Sequence, residues 1–99
     1  MAQYNNVSSA TTTTLIAKYS SKGGAIKLMS ISNNSANTAT VSVFLYDGSN
    51  SYYICKNVTI STGSTLVLDD PLLLSFDVDI YDLKITNAGT SPDITVIIK

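Results

Sequence analysis

The chain has 99 residues, a formal net charge of −1, and no His, Trp, Arg or Glu. That length supports one hydrophobic core and one domain. The six cations are all Lys, scattered at 18, 22, 27, 56, 84 and 99. They form no basic stripe to neutralise a phosphate backbone, which argues against direct nucleic-acid binding.

Ser, Thr and Asn supply about a third of the residues. Thr favours strands and the other two favour turns, while the helix formers Glu and Arg are missing. No apolar run reaches the length of a membrane span. The start Met1-Ala2-Gln3-Tyr4-Asn5 lacks the charged and apolar regions of a secretory signal. The single Cys55 cannot form an internal disulfide and fits a reducing cytoplasm; its apolar strand points to inert burial.

In chain order, residues 1–10 are polar and aperiodic and read as an arm that orders only against a neighbour. A sandwich domain then spans residues 11–99. Its first strand runs from Thr11 to Tyr19 and is ended by a turn at Ser21-Lys22-Gly23-Gly24. A second, Ala25 to Ser32, precedes the loop Asn33-Asn34-Ser35-Ala36-Asn37. The third, Thr38 to Tyr46, alternates clearly: Val41, Val43 and Leu45 face one way, and Thr40, Ser42, Phe44 and Tyr46 the other.

Asp47-Gly48-Ser49-Asn50 is the clearest hairpin signal and leads into Ser51–Ile60. With these four residues as the loop, Tyr46 pairs with Ser51, Leu45 with Tyr52 and Phe44 with Tyr53. Ser61-Thr62-Gly63-Ser64 turns the chain into Thr65–Leu68, which Asp69-Asp70-Pro71 ends. Strands at Leu72–Phe76, Val78–Thr86 and Ile94–Ile98 complete a set of about eight, with no room for a helix. The predicted fold is an all-β, antiparallel sandwich, of jelly-roll or immunoglobulin-like strand order.

Catalytic patterns fail for want of residues. Without His there is no Ser-His-Asp or Cys-His nucleophile and no ordinary zinc site. A Ser–Lys dyad needs a buried lysine, and chance proximity among many Ser is the simpler reading. Lys22-Gly23-Gly24 falls far short of a phosphate-cradling loop and reads as a turn. The three glycosylation-type triplets at Asn6, Asn33 and Asn57 are expected by chance in such a composition. The chain therefore reads as a non-enzyme without a cofactor.

Two clusters stand out. Asp77 and Asp79 lie two apart, hence on one face of a strand, with Asp82 near by. They read as an oxygen-lined Ca²⁺ site or as a solvated acidic edge that discourages strand pairing. Phe44, Tyr46 and Tyr53 share the outer face of the hairpin, as cross-strand packing or as anchors of a protein–protein interface; a carbohydrate platform is a further option. Tyr4, on the arm, joins them as an interface candidate.

From Thr11 onward the chain resembles a family of small phage virion proteins common in phages of marine bacteria and cyanobacteria. The matching pieces are Thr11-Thr12-Thr13-Thr14-Leu15, Ile26-Lys27-Leu28-Met29-Ser30-Ile31-Ser32-Asn33 and Thr40-Val41-Ser42-Val43. Tyr46-Asp47-Gly48-Ser49, Tyr52-Tyr53-Ile54, Gly63-Ser64-Thr65-Leu66-Val67-Leu68 and a Leu-rich strand follow. No single motif is diagnostic; their order carries the resemblance.

It implies an accessory structural subunit assembled by symmetry on the particle and transfers no catalytic residue. The expected role is a capsid decoration (cement) protein, a homo-oligomer such as a trimer, bridging copies of the major capsid protein. The alternatives are a neck, collar or tail position, including fibre attachment, and a host-glycan-binding module.

Overall fold

The computed structural model describes residues 3–20 and 24–99. These residues form eight strands: β1 (Gln3–Val7), β2 (Thr12–Ile16), β3 (Met29–Asn33), β4 (Ala39–Tyr46), β5 (Ser51–Ile60), β6 (Thr65–Leu68), β7 (Asp82–Gly89) and β8 (Ile94–Ile98). One helical turn, α1 (Pro71–Leu74), interrupts them. Two four-stranded antiparallel sheets, ordered β1-β8-β3-β6 and β2-β7-β4-β5, pack face to face. Every connection crosses from one sheet to the other except the β4–β5 hairpin, the double Greek-key order of a jelly roll.

Strand alternation builds the core. β3 turns Met29 and Ile31 inward, β8 turns Ile94, Val96 and Ile98, β4 turns Val41 and Val43, and β7 turns Leu83 and Ile85; all are buried. The loop between β3 and β4 is held by the buried Asn33. Its amide donates to the carbonyls of Asn37 (2.8 Å) and Ile60 (2.9 Å), and its side-chain oxygen accepts from Ser35 Oγ (2.7 Å) and Ser35 N (3.0 Å). The predicted hairpin register is the observed one: Tyr46 faces Ser51, Leu45 faces Tyr52 and Phe44 faces Tyr53. The Asp47 carboxylate closes the turn by accepting from the backbone N–H groups of Ser49 (2.9 Å) and Asn50 (2.7 Å).

Four expectations are corrected. The polar start is not a free arm over residues 3–7: it is β1, paired with β8 from Gln3↔Ile98 to Val7↔Ile94. This edge strand is held by its backbone pairing with β8 and by the buried Val7 side chain. Leu72–Phe76 is not a strand, because Asp70 accepts from Leu72 N (3.0 Å) as a helix N-cap and Pro71 starts the turn. Asp77 and Asp79 lie in a turn before β7. The Asp77 carbonyl accepts from Ile80 N and Tyr81 N, and its carboxylate from Asp79 N. The strand predicted from Ala25 begins only at Met29, and the predicted turn residues Ser21, Lys22 and Gly23 lie outside the described residues, as do Met1 and Ala2.

Candidate functional site

The outer face of the β2-β7-β4-β5 sheet is assembled by register. Phe44 lies between Tyr53 on β5 and Lys84 on β7, and Tyr46 between Ser51 and Asp82. The Phe44 and Tyr53 rings are 5.3 Å apart and tilted by 44°, within the range of favourable aromatic pairs. Lys84 Nζ lies 4.8 Å from the Tyr46 ring centre and Lys56 Nζ 4.9 Å from that of Tyr53, both cation–π distances. Phe44 is only 7% exposed despite facing outward, whereas Tyr53 is 48% exposed. The face thus carries an aromatic cluster in which Phe44 is buried and a lysine ammonium group lies over each of the Tyr46 and Tyr53 rings.

Two irregularities in the β4–β5 ladder shape it, one between Val41 and Val43 and one between Val43 and Phe44. At the first, Asn57 takes a positive φ of 54° and its N–H donates to Ser42 Oγ at 2.8 Å. Threonines extend the face on β2 and β7, where the Thr12 and Thr86 hydroxyls are 2.9 Å apart.

Of the predicted site residues, Phe44, Tyr46 and Tyr53 do come together. Tyr4 does not join them: it lies on β1 in the other sheet, opposite Ile97, and is 67% exposed. The acidic trio loses the strand geometry on which a Ca²⁺ site was argued. Asp82 begins β7 and accepts from Lys18 N at 2.6 Å, and among the described residues no three His, Cys, Asp or Glu side chains are placed to hold a metal ion. Cys55 is half-buried opposite Val43, and burial pushes its thiol pKa up, away from the reactive thiolate.

The lysines over the Tyr46 and Tyr53 rings escaped sequence reasoning. Lys84 reaches the aromatic face only through the β4–β7 pairing, and Lys56 follows Tyr53 by three residues across a bulge. A groove of about 260 Å³ between the edges of β5 and β6 is lined by Val58, Ile60, Leu66 and four Ser or Thr residues, with no titratable group. The described residues form no helix long and apolar enough to cross a membrane. No protein-family model matches this chain, and no curated protein matches it.

Proposed function

We propose that this protein is a non-enzymatic structural subunit of a phage virion, a decoration protein of the head that works in many copies through its aromatic sheet face. The observation that carries the contact role is that face: Phe44, Tyr46 and Tyr53 clustered on the outer side of one sheet, with Tyr53 half-exposed, aromatics being enriched at protein–protein contacts. The jelly-roll strand order is consistent with the reading, since viral capsid domains are among those built on it. The assignment to a particle rests on the ordered resemblance along the chain described above.

The test is the copy number of this chain in purified particles of the phage that encodes it, by quantitative mass spectrometry against the major capsid protein. A number comparable with the capsid protein supports decoration. A far smaller number moves the protein to the neck or tail, and absence from the particle overturns the reading. Replacing Tyr46 and Tyr53 together by Ser lowers incorporation while leaving the domain folded.

A further inference from the structure

We draw no further inference here: the strongest candidate, the open edge of strand β1, where the exposed Tyr4 stands on a strand without charged residues, Pro or a register shift, carries nothing, because nothing in the structure shows what covers it.

Discussion

Gly24 and Phe76 are locked together backbone to backbone. Phe76 N donates to the Gly24 carbonyl at 2.9 Å, and a methyl group on Gly24 would fall inside the van der Waals radius of the Phe76 carbonyl oxygen. The contact ties the segment before β3 to the segment after α1. No flexible side-chain end can give way there. Gly24→Ala is therefore expected to destabilise the domain by about 1–3 kcal/mol, the range for overpacking. In thermal unfolding each kcal/mol appears as a drop of roughly 4–8 °C for a chain of this size.

Leu72 and Leu74 offer an internal control. One is almost fully exposed and the other fully buried, two residues apart on the same turn. Leu74→Ala is expected to cost about 2–5 kcal/mol, and Leu72→Ala less than about 0.5 kcal/mol. Chemical denaturation of the two variants at one protein concentration checks the difference. Equal losses would show that Leu72 packs within its own domain.

Asn33 supports the β3–β4 loop from inside the protein. Asn33→Ala removes the amide that satisfies two carbonyls and the oxygen that receives Ser35. Leaving those groups unpartnered is expected to cost about 1–3 kcal/mol. Hydrogen exchange at Ser35 N would rise more than exchange in β7.

Asp47 gives a pH signature at the hairpin. The N–H groups of Asn50 and Ser49, in that order, hold its carboxyl below the usual carboxylate range. Because the folded-state pKa is the lower one, the stabilisation is present above the ordinary value and is lost as pH falls through the folded one. Amide shifts of Ser49 and Asn50 should titrate together on acidification, and Asp47→Asn should abolish that titration. Shifts that still titrate in the variant would assign the effect to another group.

Cys55 should react slowly. Its half-buried site raises the thiol pKa, so little thiolate is present at neutral pH. Alkylation by iodoacetamide should be slower than for a free thiol and should accelerate on unfolding. Rapid labelling of the folded protein would contradict this.

The local chemistry of the chain was enough for the β class, the strand alternation and the hairpin. The Asp47–Asn50 turn and the period-two pattern of Thr40–Tyr46 act over a few residues, so they specify β4, β5 and their register, and with them the grouping of Phe44, Tyr46 and Tyr53. Residues 71–74 read as a strand although Asp70 and Pro71 carry a helix-start signal, because a run of leucines satisfies either period. The turn at Asp77 reads as strand for a similar reason: its alternation with Val78 and Asp79 imitates a strand, while the turn hydrogen bonds that break it leave no mark on periodicity.

What only the tertiary structure decided is the pairing of segments far apart in the chain. The partnership of β1 with β8, the jelly-roll order of the sheets, and the placing of Lys84 beside Phe44 join residues tens of positions apart. Residue order does not encode such pairings locally. They follow from burying two apolar sheet faces against each other while every inner strand finds backbone partners on both sides, a condition on the whole chain at once.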